Sequence, residues 1–237
     1  MSCKPIIIVA GEPNSVFLEI FFKSLKFKKY KSPLIIVCSK KLLQEQMKKL
    51  RFNFKINTVD KDIAKLDTLN NKQINLVDVN YNFKRCFEKI SNKSNDYIKN
   101  CFDIALEILK RDKLTKFING PISKKHFLKG KTLGITEYLA KKTNKDHKVA
   151  MLIHNKNLSV SPLTTHLALK DVPRKISKKK LQIHVKLIND FYKTNFNKKP
   201  KIAITGLNPH CESNFNNSEE DKIIIPAIKI LKQRKFN

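Results

Sequence analysis

The chain alternates short apolar runs with longer segments in which apolar residues recur at helical spacing. Runs that are apolar at nearly every position are typical of strands buried on both faces of a parallel sheet. They predict strands at residues 6–10, 34–38, 75–79, 117–122 and 202–205, and a strand pair at residues 149–153 and 158–164. Strands that alternate with helices predict an α/β fold with mostly parallel pairing.

Helical spacing of apolar residues predicts a helix in each of the longer segments between these runs. The helices are expected at residues 15–26, 40–50, 96–110 and 136–142, and in the segments that follow Ser177 and Ser218. Val16, Ile20 and Leu25 are among the apolar positions of the first helix, and Leu181 and Val185 begin the stripe of the fifth.

Serine and asparagine side chains mark several helix starts, because their oxygens can accept a hydrogen bond from a free N–H of the first turn. Ser177 and Ser218 are predicted N-caps, and Ser94 or Asn95 is expected to cap the helix over residues 96–110. Pro226 lies inside the last helical pattern and is expected to kink that helix, since proline has no N–H and clashes with the preceding turn.

The 237 residues are enough for one large domain or two smaller lobes. We predict a first α/β lobe over residues 1–125 and a second over residues 126–237. The net charge of +29 is typical of nucleic-acid-binding proteins. However, the lysines are spread over the whole chain, without an arginine-rich arm, which favours a lysine-rich composition over a nucleic-acid partner. Such a surface would also attract a phosphorylated or carboxylated substrate.

The five cysteines form no Cys-x-x-Cys pair and no spacing typical of a disulfide framework. This pattern predicts reduced thiols and a cytoplasmic protein. Cys38 and Cys101 fall in apolar segments and are expected in the core. The sequence contains no run long enough for a membrane span and no Gly-x-Gly-x-x-Gly segment of the kind that binds dinucleotides.

Two histidines follow predicted strands. His166 ends the segment Val-Ser-Pro-Leu-Thr-Thr-His, and His210 ends Gly-Leu-Asn-Pro-His. Ligands of open α/β sheets bind at the carboxyl ends of strands, and imidazoles are good ligands for a borderline divalent metal. His166 and His210 are therefore candidate metal ligands. The alternative is that each is a structural residue held by hydrogen bonds.

Four segments together resemble the 4-hydroxythreonine-4-phosphate dehydrogenase family of vitamin B6 biosynthesis. The first is Gly-Glu-Pro at residues 11–13, with Glu19 after it. The second is Asn-Gly-Pro-Ile-Ser-Lys at residues 119–124, followed by Gly-Ile-Thr-Glu. The third is Leu-Thr-Thr-His-Leu-Ala-Leu-Lys-Asp-Val at residues 163–172, and the fourth is Gly-Leu-Asn-Pro-His at residues 206–210. The last two are the most specific.

The resemblance implies a two-lobed α/β/α fold, similar to isocitrate and isopropylmalate dehydrogenases, and a homodimer. It also implies that NAD or NADP oxidises 4-phosphooxy-L-threonine to a 2-amino-3-oxo acid, which then decarboxylates, in pyridoxal phosphate biosynthesis. A divalent metal (Zn, Mg or Co) is held by three histidines in this family. His166 and His210 match two of them, and Thr136 matches a substrate contact.

Two charged residues are candidates for catalytic roles. Lys124 follows the Gly-Pro turn and could meet a phosphate or a carboxylate, although a solvated loop lysine is the alternative. Asp171 could act as a positioning carboxylate near the metal, or it could simply begin a turn before Pro173. His126, His147, His154 and His184 match no family position, and we interpret them as surface or packing residues.

The sequence departs from the family pattern at several points. Ser15 and Phe17 occupy positions where the family has glycines, and Ile135 replaces the histidine that precedes the substrate threonine. The family's third metal histidine lies in a C-terminal segment that this sequence is expected to lack, so Cys211, Glu212 and Asp221 are candidate substitutes. These departures leave open a catalytically impaired relative that binds a phosphorylated ligand.

Overall fold

The chain forms two compact units, Met1–Lys131 and Thr132–Asn237, in a computed structural model. The structure describes residues 4–60, 69–130, 132–146, 148–208, 210–211 and 218–236. The sequence placed its lobe boundary between residues 125 and 126, six residues before the division between the compact units.

The first unit is built on a parallel sheet. Its strands are β1 (Ile6–Val9), β2 (Leu34–Cys38), β3 (Ile56–Thr58), β4 (Ile74–Asp78) and β5 (Phe117–Asn119), in the spatial order β3-β4-β2-β1-β5. Every described pairing in this sheet is parallel. The predicted α/β fold is therefore confirmed. The short strand β3 was missed, because its Ile-Asn-Thr sequence is not an apolar run.

The helices of this unit are α1 (Phe17–Phe27), α2 (Lys40–Lys49) and α3 (Asn95–Arg111). The first two cover a core that includes Ile8, Ile36 and Leu76 from the sheet. Phe22 of α1 is fully buried there, with its ring centroid 5.4 Å from that of Phe52. Helix α3 packs against β1 and β2.

The apolar positions that the sequence suggested for α1 were partly wrong. Val16 and Ile20 are 60% and 55% exposed, whereas Leu18, Phe21 and Phe22 are buried. The helix is apolar around most of its circumference, so spacing alone does not select the face that meets the sheet.

The predicted side-chain caps are confirmed at some helices and wrong at α3. The cap of α2 was not predicted: the hydroxyl of Ser39 accepts a bond from the N–H of Leu42 and fixes the start of this helix. Ser94 precedes α3 but makes no capping bond, because its hydroxyl donates to the buried carboxylate of Glu12 instead.

The second unit contains α4 (Ile135–Lys142), α5 (Lys178–Phe196) and α6 (Ile225–Gln233). Leu181 and Val185 of α5 pack with Ala227 and Leu231 of α6 in its buried cluster. Ser177 caps α5 as predicted, through a 3.2 Å bond from the N–H of Lys180.

The start of α6 also agrees with the sequence. The hydroxyl of Ser218 accepts from the N–H of Asp221 and donates to its carboxylate. A wider helical turn over Glu220–Ile224 precedes Pro226, and regular α-helix begins at Ile225. Pro226 lacks the backbone N–H that a regular helix would bond to the preceding turn, which accounts for the change from the wider turn to regular α-helix.

Strand predictions for the second unit were largely wrong. The pair expected at residues 149–153 and 158–164 is reduced to one antiparallel bridge between Ile153 and Val160. Residues 202–205 form no strand, although Ile202 and Ile204 pack against the cluster between α5 and α6. An apolar run needs a hydrogen-bonded partner to become a strand, and the described part of this unit offers this run none.

Three of the cysteines are buried, and their thiols are not bonded to sulfur. Cys38 and Cys101 lie in the core as predicted, as does Cys86, while Cys3 lies outside the described residues. Burial raises the pKa of Cys101 to about 12. Burial, together with the nearby Cys101 and Asp78, raises the pKa of Cys38 well above its usual value. Both thiols therefore stay protonated at neutral pH. No helix among the described residues is long and apolar enough to span a membrane.

The two phenylalanines of α1 provide a test of this packing. Phe22→Ala should lower the free energy of unfolding by about 3–5 kcal/mol, because it empties a fully buried aromatic site. Phe27→Ala removes the same side chain from a position that is 77% exposed and should cost about 0.5 kcal/mol or less. Urea unfolding measures both, and equal losses would contradict the packing of α1.

Candidate active site

The order of the strands in the sheet reverses at β1. From β1 the chain runs through α1 to β2 on one side, and it later returns through α3 to β5 on the other side. Ligands of α/β sheets commonly bind outside the carboxyl ends of the strands at such a reversal of strand order. The segments Gly-Glu-Pro and Asn-Gly-Pro-Ile-Ser-Lys leave β1 and β5 here.

These two loops are in direct backbone contact. The N–H of Gly120 donates to Val9 O at 2.7 Å, and the N–H of Glu12 donates to Pro121 O at 2.8 Å. A Cβ on Gly11 would lie 2.3 Å from Pro121 O, and one on Gly120 would lie 2.1 Å from Ala10 O. Gly11 also has φ +74°, which glycine adopts without strain. Glycine is therefore required at both positions.

A buried carboxylate links the loop after β1 to the start of α3. Glu12 is 3% exposed and accepts bonds from the hydroxyl of Ser94 at 3.0 Å and the N–H of Asn14 at 3.2 Å. Both carboxylate oxygens are thus used by the protein. Burial, together with the negative charges of Glu12 and Glu88, raises the pKa of the neighbouring Tyr81.

Lys124 lies in the first unit, at the start of a helical turn over Lys124–Leu128. The hydroxyl of Ser123 accepts from the N–H of His126 and fixes this turn. The side chain of Lys124 is exposed and therefore accessible to a ligand. Exposure alone does not distinguish it from other loop lysines.

The second unit contains a cavity of about 820 Å³. Apolar residues such as Leu163 and Ile183 form part of its wall, and the polar part includes Thr136, Thr164, Thr165, Lys175, Lys180 and His184. A mainly apolar cavity with a few convergent polar groups is typical of small-molecule sites. The predicted substrate residue Thr136 lies on this wall, and Thr165 immediately precedes His166.

His166 lies beside the start of α4. A Cβ built on Gly134 would be 3.9 Å from Nε2 of His166 and 3.0 Å from Oε2 of Glu137, so both side chains approach the same point. The ring of His166 is exposed, and its backbone has φ +56°. The structure thus brings His166 to the helix that carries Thr136.

A different turn presents His210. The side-chain oxygen of Asn208 accepts from the N–H of His210 at 2.9 Å and of Cys211 at 3.1 Å. Oε1 of Glu220 accepts from the N–H of Leu207 at 2.9 Å and so ties the same loop to the start of α6. The backbone is fixed while the imidazole remains exposed.

The remaining predicted ligands do not complete a metal centre in the described residues, where no group of three His, Cys, Asp or Glu side chains could hold an ion. Glu212 lies outside the described residues. Asp221 is hydrogen-bonded to Ser218, and the thiol of Cys211 donates to Asn208 O. Asp171 is half-buried in a short helical turn before Pro173, and no hydrogen bond to its carboxylate is found within the described residues.

Sequence reasoning missed the part that α5 plays in the cavity. His184 was interpreted as a surface or packing residue, yet its ring lines the cavity and its Nε2 lies 2.7 Å from the hydroxyl of Ser161. His154 does pack, stacking on Phe196 at 5.1 Å, and His147 lies outside the described residues. Helical spacing placed His184 one turn after Lys180, but only the fold reveals what that face of α5 meets.

The parallel sheet with strand-end loops and the polar cavity define a ligand-binding α/β protein. The family model of the pyridoxal phosphate biosynthetic protein PdxA matches residues 29–237, so the chain belongs to the PdxA family, and the resemblance found in its motifs is confirmed.

Individual relatives agree with this family. The chain is 36% identical to a 4-hydroxythreonine-4-phosphate dehydrogenase of Sulfurihydrogenibium sp., over 95% of this chain and 70% of the relative. A protein of the same name from Aquifex aeolicus is 30% identical, over 97% and 71% of the respective chains. The crystal structure of a 4-hydroxythreonine-4-phosphate dehydrogenase from Burkholderia phymatum matches with a TM-score of 0.80 and 26% identity, covering 98% of this chain and 72% of that one.

Two glycines with positive φ test the contact between the β1 and β5 loops. Gly11→Ala and Gly130→Ala both place an alanine in left-handed backbone, which should cost about 1–2 kcal/mol each. Only the Gly11 variant should lose about 1–3 kcal/mol more through overpacking, because a Cβ at Gly130 meets open space. Urea unfolding of the two variants measures this difference. Equal destabilisation would show that the loops do not approach as described.

Proposed function

We propose that the chain is a metal- and NAD(P)-dependent dehydrogenase that oxidises 4-phosphooxy-L-threonine to a 2-amino-3-oxo acid, which then decarboxylates, in pyridoxal phosphate biosynthesis. The observation that carries this proposal is membership of the PdxA family over residues 29–237. The cavity with Thr136 on its wall supports it. The four described cysteines carry free thiols, which fits the cytoplasm, where we place the reaction.

Thr136 and its helix orient the substrate in this proposal. The residue lies in the first turn of α4, where its hydroxyl can donate or accept a hydrogen bond at the cavity wall. The apolar side chains around it exclude water and strengthen polar contacts with a bound ligand. A small phosphorylated amino acid fits a cavity of about 820 Å³.

We assign His166 and His210 to a divalent metal. Imidazoles suit zinc and cobalt better than magnesium. Both rings are exposed, so a metal bound to them could take further ligands. A bound metal would act as a Lewis acid at the substrate oxygen. Asp171, which lies five residues after His166, is proposed as a positioning carboxylate, and Lys124 as a group that meets a substrate phosphate or carboxylate.

A homodimer is part of the proposal. Ile153, Leu158 and Val160 are 62%, 72% and 57% exposed and flank the single bridge of the second unit. Several large apolar side chains exposed together are typical of an interface rather than of a free surface. A second copy of the chain would bury them.

One substitution favours a second candidate function. Ile135 is the first residue of α4, at the position where the family pattern has a histidine before the threonine. An isoleucine cannot donate, accept or transfer a proton. The second candidate is therefore a family member that binds a phosphorylated ligand without turnover.

Turnover separates the two candidates. The purified chain, supplied with zinc, cobalt or magnesium and with NAD or NADP, should reduce the cofactor when 4-phosphooxy-L-threonine is added. Chelation of the metal should abolish this reaction. Absorbance of the reduced nicotinamide is the measurement. If the chain binds the substrate but produces no reduced cofactor under any of these conditions, the second candidate replaces the first.

Metal binding tests the assigned histidines without depending on turnover. His166→Ala should weaken Co²⁺ binding by about 100-fold or more, since even the partners of metal ligands are worth roughly 10–100-fold. His126→Gln is the matched control, because His126 interacts with Asn92 in the first unit. Titration followed by the cobalt absorption bands measures both. Equal affinities in the wild type and the His166 variant would remove His166 from the metal site.

A further inference from the structure

A cluster of two lysines and one histidine lies on one wall of the cavity in the second unit. It consists of Lys175, Lys180 and His184, all of which line the cavity. Nζ of Lys180 donates to the carbonyl oxygen of Lys175 at 3.4 Å, which holds the two lysine segments together. Lys180 and His184 are one turn apart on α5 and therefore project from the same face.

The two lysines give this wall of the cavity a positive potential, and His184 adds an imidazole that can form hydrogen bonds. Burial followed by the charge of Lys175 lowers the pKa of Lys180, and burial followed by the charge of Lys180 lowers the pKa of His184. No ion pair among the described residues includes Lys175 or Lys180, whereas Lys186, further along α5, is paired with Asp190. Both lysines are exposed at the cavity mouth and have no described acidic partner, so an anion in the cavity could form charge-assisted hydrogen bonds with them.

Hydroxyl groups beside this cluster supply further hydrogen-bond donors. Thr164, Thr165 and Ser177 line the same cavity. Nε2 of His184 is already engaged with Ser161, which fixes the plane of the imidazole. Acidic side chains are also present on the wall, at Glu137 and Asp146, but neither contributes to the shifted pKa of Lys180 or His184.

We propose that Lys175, Lys180 and His184 form a phosphate-binding subsite of this cavity. Phosphate fits because it is dianionic near neutral pH and has several strong acceptor oxygens, which can be shared among lysines and hydroxyls. The inference rests on the proposed function, in which the ligands are phosphorylated. The phosphate could belong to the amino-acid substrate, which carries a phosphomonoester, or to the nucleotide cofactor, whose pyrophosphate (and, in NADP, 2′-phosphate) is also anionic.

Equilibrium binding of inorganic phosphate to the full chain tests the subsite. Isothermal titration at constant ionic strength should show Lys180→Gln and Lys175→Gln binding phosphate about tenfold or more weakly than the wild type, the loss expected for a charge-assisted hydrogen bond. Lys193→Gln is the control, because it removes the same charge from α5 outside the cavity. Circular dichroism and thermal melting verify that each variant is folded.

Competition identifies the source of the phosphate. Displacement of phosphate by 4-phosphooxy-L-threonine would assign the subsite to the substrate, and displacement by NAD or NADP would assign it to the cofactor. Displacement by neither ligand, or equal affinities in the Lys180, Lys175 and Lys193 variants, would overturn the inference.

Failure of the subsite and failure of the proposed function are distinguishable. His166→Ala should lose metal binding and turnover but keep its affinity for phosphate. A chain that binds phosphate through Lys180 without oxidising the substrate would support the subsite and contradict the dehydrogenase proposal. A chain that turns over normally after Lys180→Gln and Lys175→Gln would contradict the subsite alone.

Discussion

The first unit depends on the backbone contact between the loops that leave β1 and β5. Gly11 and Gly120 let these loops approach to a distance at which any side chain would overlap a carbonyl oxygen. That contact holds β5 beside β1 and sets the reversal of strand order. It also determines where Glu12 is buried and where the turn that carries Lys124 begins. The position of these polar residues at the strand ends therefore depends on two residues that have no side chain.

Packing on α5 plays the corresponding role in the second unit. Leu181 and Val185 are buried against α6, and the residues that precede them are Lys180 and His184. Each pair is spaced four residues apart, so its members lie on one face of the helix. The burial of Leu181 and Val185 therefore fixes the rotation of the helix and directs Lys180 and His184 to the cavity. The hydrophobic core and the electrostatics of the site are thus two consequences of one helix orientation.

The parts of the fold that were predictable are those in which local sequence and tertiary structure agree. The apolar runs of β1 and β2 and the cap at Ser177 required no knowledge of distant residues. The strand predicted at residues 202–205 was wrong because strand formation depends on a partner strand. The buried face suggested by Val16 and Ile20 was wrong because α1 has two apolar faces. His184 was missed for a related reason: a histidine in an amphipathic helix carries no local sign of a cavity. Motifs located His166 and His210, but the sequence does not contain the turn geometry around them.

Backbone conformation distinguishes the turns that carry His166 and His210. Most non-glycine residues with positive φ in the described chain follow a helix end, as Lys129 and Asn197 do, where a left-handed residue helps to terminate the helix. His166 has φ +56° and Cys211, directly after His210, has φ +54°, and neither follows a helix. Left-handed backbone costs energy. Hydrogen bonds from the N–H groups of His210 and Cys211 to the side-chain oxygen of Asn208 offset that cost at Cys211, whereas the exposed ring of His166 adds no buried packing at its own turn. Backbone strain that side-chain packing does not offset is typical of ligand-binding positions. The positive φ of His166 therefore supports the proposal that its turn serves to present the imidazole.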